Sequence, residues 1–124
     1  MLRLLSASLC SLLLVTAFAQ RGTIKVVDTD AMRLSAAKNT AMVDKTVGLS
    51  DEQRPQVTEA YMDYERSVDA LKQRYARAQG MTPEQKQEEL ERLYATPRQQ
   101  AEQSVERILT ADQLAKWQAA MPKK

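Results

Sequence analysis

Gly48-Leu49-Ser50-Asp51-Glu52-Gln53 decides the fold, because its pattern returns at Gly80-Met81-Thr82-Pro83-Glu84-Gln85 and at Ile108-Leu109-Thr110-Ala111-Asp112-Gln113. Each copy sets an apolar residue before Ser or Thr, with Gln three places on and acids between. This is the spacing of a capping box. The hydroxyl accepts from the amide of the third helical residue, and the Gln side chain reaches back to the cap's own amide. Acids in the first turn complement the positive end of the helix dipole. Pro83 takes the first helical position, where its missing N–H costs nothing. Leu109 and Leu114 have the spacing of a hydrophobic staple. Pro55 fits its box less well and predicts a distorted first turn. Three helix starts in 124 residues make an all-α fold close to compulsory.

Working outward from the boxes, a first helix is expected from a cap at Asp28 or Asp30 to about Val47, with Gly48 as its stop. The second should run from about Ser50 to Gln79. Its apolar positions Val57, Tyr61, Tyr64, Val68, Leu71, Tyr75 and Ala78 repeat in alternating steps of four and three, a heptad stripe. That stripe suits either a face for a partner or client, or a seam against the protein's own helices. A third helix opens at Thr82-Pro83 and carries Leu90, Leu93 and Tyr94. Pro97 should kink or end it. A further segment is expected from Arg98 to about Leu109, and a last helix from Thr110 to about Ala120. Helices from Asp30 onward thus form one domain, residues 30–121, followed by a short tail, 122–124.

Residues 1–19 have the layout of a secretory signal peptide. Arg3 supplies the charge, Leu4 to Val15 an apolar run interrupted by serines, and Ala17-Phe18-Ala19 a small-x-small cleavage site. The apolar run is shorter than the roughly 20 residues that cross a bilayer. No stable membrane anchor is expected after its removal. Cys10 follows Leu9 and precedes more apolar chain, so it reads as an unmodified residue of the apolar run and not as a lipidated one. The mature chain then begins near Gln20 without cysteine. Residues 20–29 contain the β-prone run Thr23-Ile24-Lys25-Val26-Val27, which has no obvious pairing partner and is either an ordered arm or, the favoured expectation, a disordered one.

The composition excludes most chemistry. The chain has 18 Lys+Arg, 16 Asp+Glu, one Cys and no His. Without His it lacks the commonest general base and the commonest metal ligand. Zinc spacings of Cys and His are impossible. Near-balanced charge argues against a nucleic-acid footprint. First-turn acids Glu52, Glu84 and Asp112 have no nucleophile or oxyanion donors beside them, so neither a catalytic site nor a cofactor is expected. Met32, Met42, Met62, Met81 and Met121 are scattered and fit core filling better than soft-metal ligation. Ala is the commonest apolar residue of the mature chain, and large aliphatic residues are few. Long slender helices that each bury one stripe fit that supply.

The boxes Gly48-Leu49-Ser50-x-x-Gln53 and Leu109-Thr110-Ala111-Asp112-Gln113, the latter followed by Trp117, resemble those of the LTxxQ-motif family of small periplasmic helical proteins, the Spy/CpxP type. Ser50 replaces the more usual Thr, and the copy at Met81, Thr82 and Gln85 is a weaker match. The resemblance implies three to five helices in an elongated, curved, hairpin-like arrangement, and a homodimer. It also implies a periplasmic protein that holds partly folded proteins as an ATP-independent chaperone or modulates the envelope stress response. Lacking His and Cys, this sequence departs from the metal-binding relatives. The alternatives are a structural or regulatory module for one specific envelope partner and, less favoured, a metal sensor. A dimer is expected because so thin an apolar supply buries poorly alone, and sedimentation at micromolar concentration checks it.

Overall fold

A computed structural model describes residues 24–122. The signal segment with Cys10, residues 20–23 of the arm, and residues 123–124 of the tail lie outside the described residues. The fold is all-α, with no strand among the described residues. Its elements are α1 (Asp30–Val47), α2 (Gln53–Ala76), α3 (Pro83–Leu93), α4 (Ala95–Ile108) and α5 (Ala111–Ala120).

The first helix starts one residue away from either expected cap. Thr29 is the cap, accepting from the Met32 amide at 3.2 Å, and the Thr29 amide donates to the Met32 sulfur at 3.3 Å. Asp30 serves the first turn instead, pairing with Arg33 at 2.9 Å. Gly48 ends α1 at φ 70°, a left-handed conformation that costs glycine little.

Regular α2 begins at Gln53, but its first turn is anchored earlier, at Ser50. The Arg54 amide bonds the Ser50 carbonyl at 3.1 Å. Pro55 has no N–H to offer Asp51, so the turn between them is irregular. At its far end α2 stops at Ala76, short of Gln79, and Gly80 turns the chain at φ 84°. Ala78 therefore lies past the helix.

Pro97 works differently from expectation. It sits in the first turn of α4, which starts at Ala95 and not at Arg98. Its ring clashes with, and its missing donor deserts, the carbonyl of Leu93 four residues back. The break between α3 and α4 falls at that place, with Tyr94 as the joint. Pro97 itself is buried.

Around α2 the other helices form two antiparallel flanks. One is α1, whose Met32, Ala36, Thr40, Val43 and Val47 make its buried face. Thr40, the only buried polar side chain among the described residues, meets Thr58 of α2 at 2.9 Å. The other flank is α3 and α4, returning from the Gly80 turn. α5 then folds back over α1. The principal core joins Val43, Val47, Leu49, Val57, Ala60, Val105, Leu109 and Trp117, with Leu114 packed against it. Leu109 and Leu114, the two ends of the staple, thus share one cluster. A smaller core holds Met32, Ala36 and Met62.

Residues 24–29, part of the arm expected to be disordered, run as irregular chain beside α2. Arg66 grips Asp28 with two bonds of 2.8 and 2.9 Å, and Gln73 donates to the Lys25 carbonyl at 3.1 Å.

Asp44 fastens the α1–α2 corner, accepting from the Leu49 amide at 2.8 Å and from Arg54 Nε at 3.0 Å. The backbone bond, then the Arg54 contact, hold its carboxyl below the ordinary 3.8. A carboxyl lowered on folding stabilises fully above its unfolded pKa, and that stabilisation is lost as pH falls through the folded value. Acidification below about pH 4 should therefore shrink the stability gap between the wild type and Asp44→Asn. Urea midpoints across that range check it.

Candidate functional site

The first and last boxes, far apart in sequence, meet at the base of the bundle. Ser50 accepts from the Gln53 amide at 3.1 Å, and Gln53 Oε1 accepts from the Ser50 amide at 2.9 Å. Thr110 and Gln113 repeat this at 3.3 and 2.9 Å. The two glutamine side chains then join each other. Gln53 Nε2 lies 2.8 Å from Gln113 Oε1, and Gln113 Nε2 lies 3.0 Å from Gln53 Oε1. Each Nε2 also donates across the junction to a carbonyl two residues before the other box's hydroxyl. Gln53 reaches Ile108 at 3.1 Å, and Gln113 reaches Gly48 at 2.7 Å. Local two-fold symmetry follows, and both amides use every hydrogen and oxygen lone pair they have.

The middle box forms its own pair of bonds, Thr82 with Gln85 at 3.1 and 2.9 Å, but joins nothing else. Leu49 and Leu109 are buried beside the junction, whereas Met81 is half-buried at the far turn. The three copies are thus alike in local chemistry and different in role. Only a glutamine that faces a second helix start ties two parts of the chain together.

The heptad stripe divides along its length. Val57 is wholly buried in the principal core. Tyr61, Tyr64, Val68, Leu71 and Tyr75 are half-buried. Tyr61 packs against both core clusters, on Met32, Ala36 and Met62 as well as on the principal core, and with Tyr64 it lies between α1 and α4. Off the stripe, Met62 is buried against Met32 and Ala36 of α1, and Ala60 is buried on the opposite side, toward Ala101 and Ser104 of α4.

Near the junction, Tyr61 and Tyr64 line a cleft of about 410 Å³. α1 contributes Met42, α4 contributes Arg98 and Glu102, and α5 contributes Trp117, with Met121 just past its end. Burial, then the Glu102 charge, raise the Tyr61 phenol above its ordinary value, which keeps it a neutral donor. Trp117 is only 7 % exposed, and its Nε1 is the one buried side-chain nitrogen or oxygen without a hydrogen-bond partner among the described residues. Sequence periodicity on α2 pointed to the tyrosines. It could not find Trp117, Met42 or Arg98, which come from three other helices.

Met32 and Met62 share a core cluster, and Met42 and Met121 line the cleft. No group of three or more His, Cys, Asp or Glu able to hold a metal ion occurs among the described residues. No helix among them is long and apolar enough to cross a membrane. The chain matches no family model, no curated protein and no solved structure.

Removing either junction glutamine deletes several half-exposed hydrogen bonds, at about 0.5–1.5 kcal/mol each. Gln53→Ala and Gln113→Ala should be non-additive, with a coupling of about 0.5–3 kcal/mol in a double-mutant cycle. Gln85→Ala should stay within about 0.5 kcal/mol of the wild type. Urea denaturation of the four variants checks the contrast.

Proposed function

We propose that this is an exported, periplasmic protein that captures apolar segments of partly folded proteins without nucleotide. In this role it acts as a chaperone or as a modulator of the envelope stress response. The observation that carries the proposal is the cleft, whose aromatic and thioether lining offers broad contact to varied apolar side chains. The resemblance of the Leu49 and Leu109 boxes to the LTxxQ-motif family supports the same role. Neither catalysis nor a cofactor enters the mechanism: capture and release follow from reversible burial of apolar surface.

The size of the cleft favours a second reading. A volume of about 410 Å³ suits one anchoring side chain or a short segment better than a long unfolded stretch. Large apolar residues exposed elsewhere among the described residues are Val27, Leu34 and Met42, of which only Met42 adjoins the cleft. A module for one specific envelope partner would have this character.

Trp117 is the only tryptophan, so its fluorescence reports the cleft and the core wall it belongs to. Stoichiometric protein should suppress aggregation of a chemically denatured client and shift Trp117 emission, and Tyr64→Ser should weaken both. Absence of suppression with a single partner recovered in a pull-down would favour the second reading. Absence of both would sink the proposal.

A further inference from the structure

The segment expected to be a disordered arm has a regular alternation. Ile24, Val26 and Asp28 are half-buried, while Lys25, Val27 and Thr29 are exposed, Val27 to 65 %. Alternation of this kind is the mark of extended chain that lays one edge on a surface. No strand pairs with it. The surface is instead a groove made by α1 and the outer side of α2.

Each contact in the groove reads one feature of an extended peptide. Val26 packs on the cluster of Met32, Ala36 and Met62. The Arg66 guanidinium takes both Asp28 oxygens in a fork, at 2.8 and 2.9 Å, the geometry that selects a carboxylate. Gln73 donates to a main-chain carbonyl, that of Lys25, at 3.1 Å, which is indifferent to side-chain identity. Together these select an acid two places after an apolar residue on extended backbone.

The arm is also held in a way that permits exchange. Arg66 carries Glu59 at 2.6 Å and Asp63 at 2.7 Å besides Asp28, so three carboxylates share one cation. Asp28 is attracted by the guanidinium and repelled by its two neighbours. The ion pair is partly exposed on both sides, so a competing carboxylate can reach the guanidinium. Docking therefore depends on tethering: a segment joined to the fold by a short link experiences a local concentration of roughly millimolar order.

We propose that the α1–α2 groove is a docking site for an extended protein segment with the pattern apolar–x–apolar–x–acidic, and that residues 24–28 are its resident occupant. A partner segment with that pattern displaces the arm and takes over the Arg66 fork. This site is separate from the cleft beneath α5 and stands whether or not that cleft captures clients.

The probe is a labelled peptide of residues 24–29, Ile24-Lys25-Val26-Val27-Asp28-Thr29, followed by fluorescence anisotropy. A Val26→Ser/Asp28→Asn protein frees its own groove and should bind the peptide at least about tenfold more tightly than the wild type. Adding Arg66→Ala to that protein should abolish the gain, and a peptide carrying Asn in place of Asp28 should not bind. Because Arg66→Ala also releases Glu59 and Asp63, nuclear magnetic resonance on the wild type supplies the second measurement. Saturating unlabelled peptide should move the resonances of Val26 and Asp28 to random-coil positions and leave Trp117 emission unchanged. Equal binding to the wild type and the arm variant, no binding to either, or binding that survives Arg66→Ala would overturn the proposal. So would a wild-type dimer that dissociates in the arm variant, since the arm would then belong to a second copy's groove.

Discussion

The reciprocal bond between Gln53 and Gln113 is the constraint on which the rest of the structure depends. A helix start leaves main-chain N–H groups without partners, and this fold brings two such starts together in a partly apolar setting. Two carboxylates side by side there would repel. Two amides do not, because each presents a donor and an acceptor to the other and still has one of each for its own surroundings. The pair thereby satisfies the Ser50 and Thr110 amides and the carbonyls of Gly48 and Ile108. It also holds α5 where Trp117 closes the principal core and walls the cleft. With a small apolar supply, position substitutes for bulk: Val43, Val57 and Val105 are fully buried because the base brings their helices into register.

Legibility in the sequence followed the range of the interactions. Caps are local, and all three boxes form where their spacing puts them. The fourth, at Thr29, escaped because Met32 stands where Gln or Glu would announce it. Helix ends set by proline were displaced by a few residues, since Pro97 acts on the carbonyl of Leu93 and not at its own position. The buried face of α1 was hidden by its small and polar members, Ala36 and Thr40, which carry little hydrophobic signal but allow close approach to α2.

Contacts between distant segments could not be read at all. Nothing in the spacing of Gln53 and Gln113 says that they touch, and nothing marks Gln85 as the copy that stays solitary. The tyrosines were visible as a stripe, but the α3–α4 flank claims part of that stripe and leaves Tyr61 and Tyr64 to the cleft. The β-branched residues of 23–27 mark a β-prone run, but without a pairing strand they predict a disordered arm and not the ordered one found at 24–28. Its docking on helices in place of a sheet depends on Arg66 and Gln73, roughly forty residues onward.

The solitary box at Thr82 has a different consequence. It starts α3 using only its own two bonds, so the turn at Gly80 takes nothing from the base of the bundle. The antiparallel pair of α2 with α3 and α4 is therefore open to growth at one end. Whole heptads added in step to α2 beyond Gln73 and to α3 before Leu90 would lengthen the hairpin and carry the turn outward with its cap intact. The glutamine pair, the cleft and the arm groove would keep their places. Reach and grip are separable in this architecture: one is set by how many turns the hairpin contains, the other by side chains near its root.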